Sequence, residues 1–352
     1  MNLDFIKEFN KFAEQLPIGS PPVLVGHPLI GRIGLCIPGR EFRLRGMSNK
    51  TFEALMRDEV KARKKLWWYL RELGAITTWD GVLSNRAAGK ADDRLYYKAS
   101  QTTVAANWSS FFRSGGVPSA GAYTNIPGGA AHNVATVGAF PLINPTSPDK
   151  KYLLNFGANH LTGTNIVLLL DLLVAAGNIN ANTTGNQTVN TTALTRYTDG
   201  VGVLMILEVT TALGATASNV TITYTNQEGT SGRTTGALAM TASAVVFRLQ
   251  PTIGGALIPL QAGDTGVRSV QTIAFSAAMG GGVVAILLYK PLLLVPTLAT
   301  TTFVERSTPG MLSGITELVT DSNGNLGCLT VFVLTSTTST GVQTYWIQTV
   351  AG

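Results

Sequence analysis

The sequence predicts a mainly β protein, a jelly-roll-like antiparallel β-sandwich preceded by a partly helical N-terminal region. Three observations carry that prediction. Charged residues make up only 13% of the 352 residues, about half the roughly 25% usual in soluble domains. Nine apolar types supply 45%, enough for a sizeable core and too much for wholesale disorder. The 38 glycines and 15 prolines favour many turns over long bundled helices. Threonine, β-branched and suited to pleated surfaces, supplies 8 of the first 150 residues and 36 of the remaining 202.

The positive charge is confined to the front. Up to Arg113 there are 18 Lys/Arg and 11 Asp/Glu, net +7; the rest has 8 and 9, net −1, so the overall +6 arises in the first third. These shifts divide the chain into a basic, partly helical anchoring region (1–115), a β-sandwich body (116–297) and a C-terminal β arm or hairpin (298–352).

In the front, Phe5, Ile6, Phe9, Phe12, Ala13 and Leu16 fall on one face of a short amphipathic helix that ends before Pro17. Such large apolar groups on so short a helix must pack on the body or on another subunit. Asp4 and Glu8 sit where a signal peptide would be apolar, so no secretory signal is expected. A long helix is predicted over residues 48–73, capped by Ser48 or Asn49. Acidic Glu53, Asp58 and Glu59 come early and basic residues late, which suits the helix dipole, and Gly74 is the stop. Residues 75–83 read as a hairpin turning at Asp80-Gly81, and 113–129, rich in Gly, Ser, Pro and Ala, as the linker.

Strand-like runs then recur between turn signals at 152–156, 166–174, 202–209, 219–225, 245–249, 270–276 and 283–289, with a further pair at 329–334 and 342–350. Residues 219–225 alternate cleanly, with Val220, Ile222 and Tyr224 on one face and threonines on the other, as a half-buried strand does. Residues 166–174 and 283–294 are nearly all aliphatic, as strands buried on both faces would be. Neither suggests a membrane span. The first is too short and contains Asp171; the run 269–289 is broken by Gly280-Gly281-Gly282 and reads as two strands joined by a glycine turn.

Little of this looks catalytic. His27, His132 and His160 have no second His or Cys at metal-ligand spacing, and the Gly-rich stretches lack the Lys-Ser/Thr of a phosphate loop. Neither cofactor nor metal is expected, and the chain is not expected to be an enzyme. Asp171 and Glu208 each sit in an aliphatic run. If their strands were neighbours in register they would form a glycosidase-like pair; otherwise each points outward or meets an arginine such as Arg248. Cys36 and Cys328 are too few to define a disulfide framework. Two isolated thiols fit a reducing cytoplasm, and a single bridge between them stays open.

One constellation stands out: Lys61, Arg63, Lys64, Lys65 and Arg71 around Trp67, Trp68 and Tyr69. Basic groups beside aromatics suit nucleic-acid backbone and bases. The same pattern on a helix also gives a solvated basic face, with the aromatics anchoring it to a neighbour. Phe5, Phe9, Phe12, Leu16, Trp67 and Trp68 are therefore the candidate assembly contacts, and the five basic residues the candidate patch facing packaged DNA.

The body also carries a string of phrases: Tyr123-Thr-Asn-Ile-Pro-Gly-Gly-Ala-Ala, Val137-Gly-Ala-Phe-Pro-Leu-Ile-Asn-Pro-Thr-Ser, Lys151-Tyr-Leu-Leu, Leu168-Leu-Leu-Asp-Leu-Leu, Gly263-Asp-Thr-Gly-Val-Arg-Ser-Val and Ile286-Leu-Leu-Tyr-Lys-Pro-Leu. In these, residues 123–296 resemble the virion structural proteins of tailed bacteriophages. The resemblance implies a non-enzymatic particle component, a capsid-associated minor capsid or decoration protein, assembled in the host cytoplasm. It also suggests partners: further copies of itself in a homotrimer or other symmetric oligomer, the major capsid protein or other virion proteins, and no membrane. A tail fibre or spike that binds a receptor carbohydrate is the alternative, with residues 178–190 as the candidate loops.

Overall fold

The computed structural model describes residues 23–27, 32–36, 79–251, 258–297, 304–307 and 316–352. The chain divides into two compact units, Met1–Val82 and Leu83–Gly352. In the first, β1 (Val23–His27) and β2 (Arg32–Cys36) pair as an antiparallel ribbon. The helices expected over 5–16 and 48–73 lie outside the described residues. Around Asp80-Gly81 the expected hairpin is replaced by helix α1 (Trp79–Ala87). Arg86 in its last turn suits the helix dipole. Gly89, at φ +75°, allows the amides of Ala88, Gly89 and Lys90 to turn back onto the carbonyls of Ser84, Arg86 and Asn85.

The second unit begins with β3 (Ala91–Lys98), β4 (Asn107–Ser110), β5 (Gly116–Val117) and β6 (Ala130–Ala131). The long β7 (Lys151–His160) and β8 (Asn165–Asn180) follow, then β9 (Gly185–Thr188), β10 (Leu204–Thr211), β11 (Ser218–Asn226), β12 (Arg233–Thr234), β13 (Leu238–Met240) and β14 (Leu249–Gln250). Last come β15 (Val267–Phe275), β16 (Val283–Thr297), β17 (Val304–Ser307), β18 (Thr316–Leu318), β19 (Cys328–Thr335) and β20 (Gln343–Ala351).

Three antiparallel sheets result. A central sheet has the order β14-β10-β16-β8-β19-β4, with β6 also on β8; a second has β17-β7-β20-β3-β5, with β18 also on β7; a smaller one has β12-β11-β13, with β15 also on β11. Three neighbouring ribbons leave the second sheet for the central one at a common corner. β7 runs on into β8, β3 into β4, and β19 into β20 in the opposite sense. Hydrogen bonds from Leu161 N–H to Val342 O (3.3 Å), Thr103 N–H to Thr338 O (3.0 Å) and Thr162 Oγ1 to Ser339 O (2.6 Å) tie the corner together. Antiparallel ribbons wrapped between two facing sheets are how a jelly roll winds.

β8 explains why the aliphatic runs lack alternation. Val167 and Leu169 enter a core shared with the second sheet, through Leu153, Phe156, Tyr345 and Ile347. Leu168, Leu170 and Leu172 enter another core that includes Val220, Ile222, Tyr224, Val270 and Ile273 of the small sheet. Both faces of β8 are dry, so both need apolar side chains. β11, covered on one face, buries Val220, Ile222 and Tyr224 and leaves its threonines half-buried, as its alternation predicts. The run 269–289 is indeed two strands: β15 ends at Phe275, β16 starts at Val283, and Gly280, Gly281 and Gly282 all have positive φ between them.

Four expectations need correction. Of the strand expected at 245–249 only Leu249 lies in a strand, β14, which continues to Gln250; Phe247 (φ +72°) breaks the extended backbone, and Arg248 makes only an isolated bridge to Ser109. Residues 113–129 are not a linker but pack on the body: Gly177 N–H bonds to Thr124 O at 2.8 Å, and a Cβ on Gly129 would lie 2.3 Å from Ala175 O. The segments 329–334 and 342–350 are no separate hairpin, since β19 and β20 lie in different sheets. Strand pairing likewise runs across the expected boundaries at 115 and 297, through β3 with β20 and β4 with β19.

Candidate functional site

The sequence's candidate contacts (Phe5, Phe9, Phe12, Leu16, Trp67, Trp68) and basic patch (Lys61, Arg63, Lys64, Lys65, Arg71) lie outside the described residues. Among the described residues no three His, Cys, Asp or Glu side chains group as metal ligands, and no helix is long and apolar enough to cross a membrane. Cys328 is a buried free thiol.

The two buried carboxylates do not form a pair. Asp171 faces Lys290 of β16 and Glu208 faces Ala285 of the same strand. Five residues of strand separate them, roughly 16 Å at about 3.3 Å per residue, beyond the 5–10 Å that two-carboxylate hydrolysis needs. Each instead meets its own arginine, neither of them Arg248. Arg196 forks onto Asp171 at 2.9 and 2.8 Å and donates to His132 O at 2.8 Å, with both charged side chains out of solvent. Burial pushes the Asp171 carboxyl up from its ordinary value, and the Arg196 fork and the Cys328 N–H partly pull it back. Arg248 bonds Asn107 and Thr241.

Glu208 organises the more open place. Arg113 Nε donates to it at 2.7 Å, Arg113 Nη2 reaches Val209 O at 3.3 Å, and the Tyr123 hydroxyl donates to its other oxygen. Burial, then the neighbouring Glu208 charge, holds the Tyr123 phenol well above its usual range. The Arg113 guanidinium lies 5.7 Å from the Tyr123 ring centre and 5.0 Å from that of Phe247, within cation–π range. Two surface clefts meet at this arginine. One, about 470 Å³, is lined by Gln101, Thr102, Ser114 and Phe247 among others; the second, about 370 Å³, by Tyr123, Asn125, Asn178, Thr210 and Thr211.

His132 and His160 are core residues, as expected of isolated histidines. His132 sits edge-on to Phe112 and Tyr123 at 5.4 and 6.4 Å, and His160 edge-on to Tyr345 at 6.1 Å. Their ring nitrogens have no partner among the described residues. Burial depresses both to about 4, helped for His132 by the Arg196 cation.

Sequence reasoning missed Arg113 and Arg196, whose carboxylate partners lie 95 and 25 residues away. A signal for the second cleft was present: an isolated glycine inside a strand pattern, Gly177 before Asn178, marks a bulge.

No protein-family model matches the chain, and no curated protein matches it in sequence. Solved structures it is similar to include several from virus particles. The infectious bursal disease virus Gt strain structure is 12% identical over 74% of this chain and 81% of that chain, with a TM-score of 0.14. The VP2 subviral particle of the same virus is 11% identical over 75% and 81%, at 0.16. Its T=1 particles give 11% over 74% and 78%, at 0.13. At TM-scores this low the two backbones do not superimpose as one fold.

Proposed function

We propose that this chain is a non-enzymatic structural component of a tailed-phage particle, attached to the head as a minor capsid or decoration protein and acting through protein–protein contacts. The observation that carries the reading is an apolar row on the outer face of the second sheet. Leu95 (69% exposed) and Tyr97 (48%) project from β3 on the side opposite buried Tyr96 and Lys98, and Val117 (49%), opposite Tyr97 on edge strand β5, extends the row. Single exposed apolar groups are ordinary on a protein surface, but neighbouring ones on one sheet face mark a surface that another protein covers. The buried carboxylates support the same reading, since both are tied up in structural ion pairs. In this proposal the protein forms a symmetric oligomer, a trimer by preference, on a shell of major capsid protein. The residues ahead of β3 anchor it, and Lys61, Arg63, Lys64, Lys65 and Arg71 face packaged DNA.

Imaging purified particles tests this directly. Density for the chain on the head at fixed copy number is expected, with loss of incorporation in Leu95→Asp/Tyr97→Asp at unchanged thermal stability. Absence from particles refutes it. The clefts at Arg113 favour a second reading, a receptor-binding fibre or spike component, for which density would lie on the tail.

A further inference from the structure

We propose that the two clefts flanking Arg113 form one binding site for a neutral oligosaccharide. Val284 of β16 faces Ile179 of β8, and Ile286 faces Ala176, so β8 carries one extra residue at Gly177-Asn178. On the other side of β16, Val284 faces Val209 and Val283 faces Thr211, so β10 carries an extra residue at Thr210. Two bulges on the two strands flanking one short stretch of β16 put Asn178 and Thr210 into one cleft. Bulges re-aim side chains and concentrate beside functional sites. Backbone strain is placed the same way: Asn178 has φ +62° in one cleft and Phe247 φ +72° in the other. A bulky aromatic at positive φ is a true outlier, of the kind held where function requires it.

The lining selects the ligand. Arg113 is the one charged side chain among the residues lining either cleft, and Glu208 compensates it. A phosphate or other polyanion would need uncompensated cations, which neither cleft lining provides. What the clefts offer instead is uncharged: hydroxyls of Thr102 and Thr211, the Thr210 oxygen as an acceptor (its proton goes to Val283 O), the Gln101 oxygen, amides of Asn125 and Asn178, and the Phe247 ring. The Gln101 side-chain oxygen is buried without a partner, and among the described residues nothing accepts from Arg113 Nη1 or bonds the exposed Asn178 amide. Unused donors and acceptors beside an aromatic face match the hydroxyls and C–H faces of a sugar ring. This inference supplies the chemistry of the receptor-binding reading and rests on it only for the source of the glycan. Head or tail location in particle images is scored separately from binding.

The test uses the full chain on an array of neutral oligosaccharides of several configurations, beside uronic- and sialic-acid-bearing ones. Arg113→Ala would leave Glu208 buried and unpaired, so the variants are Asn178→Gly, which keeps the positive φ and removes the amide, and Thr211→Val. Retention on at least one neutral glycan is expected, weakened tenfold or more in Asn178→Gly and measurably in Thr211→Val, with melting temperatures unchanged. No retention, retention on acidic glycans alone, or retention that neither variant weakens overturns the proposal.

Discussion

Replacing Arg196 by methionine should show what the buried Asp171–Arg196 pair contributes. Both side chains are excluded from solvent, and the arginine makes two bonds to the carboxylate and one to His132 O. Methionine keeps much of the volume but strands a buried carboxylate, a change that typically costs 3–5 kcal/mol. The orphaned carbonyl of His132 adds about 1 kcal/mol, so about 5 kcal/mol should be lost at pH 7. With a urea m-value of about 3 kcal/mol/M the unfolding midpoint should fall by about 1.7 M. The pH dependence has a definite sign. Burial already raises the Asp171 carboxyl, and removing the cation raises it further above its unfolded value of about 3.9. The folded variant therefore binds the proton more tightly than its unfolded chain, so its deficit should grow as pH rises and shrink as pH falls towards 4. Adding Asp171→Asn should restore at least half of the loss. A single-variant loss under about 1 kcal/mol, or a double variant no better than the single, would refute the reasoning, because either means the carboxylate was never held by this cation.

Three further outcomes follow from the same structure. A Cβ on Gly327 would sit 2.3 Å from Asp171 Oδ2, which Arg196 prevents from moving aside, so Gly327→Ala should cost about 1–3 kcal/mol in urea unfolding. His132 and His160 stay neutral in the fold down to about 4, whereas unfolded histidine titrates near 6.5. The unfolded chain therefore binds more protons between these values, and stability is present above pH 6.5 and lost as pH falls, by roughly 2 kcal/mol per histidine at pH 5. Melting temperatures from pH 7 to 5 should show this slope in the wild type and a flattened one in His132→Leu/His160→Leu. Tyr123→Phe removes a donor from buried Glu208 and should lower stability by about 1–3 kcal/mol in thermal or urea unfolding.

What the sequence revealed and what it hid divide along a physical line. Strand periodicity is local: the alternation at Val220, Ile222 and Tyr224 and the doubly apolar run of β8 follow from which faces are dry. Ion pairs are not local. Nothing near Asp171 in the chain points to Arg196, and nothing near Glu208 points to Arg113, because both pairings exist only after the sheets form. The strand expected at 245–249 failed at Phe247, a non-glycine residue with positive φ, a conformation that side-chain type does not announce. The Asp80-Gly81 turn failed because a capped helix, ended by Gly89, satisfies the same residues. The clefts were partly legible through Gly177 in the aliphatic run, but the matching bulge at Thr210 carries no glycine to mark it.

The winding of the ribbons has a consequence for how the protein is made. β20, which follows β3 and β7 by nearly 200 residues or more in the chain, lies between them, and β19 lies between β8 and β4. While β19 and β20 are still inside the ribosome, β3 and β4 lack the neighbours that join them to the sheets, and β7 and β8 expose open edges along much of their length. Contacts spanning this much sequence fold slowly, and open edges are what aggregation exploits. The nascent chain therefore carries its long apolar strands incompletely paired until β19 and β20 have emerged, and closure of both sheets waits for them.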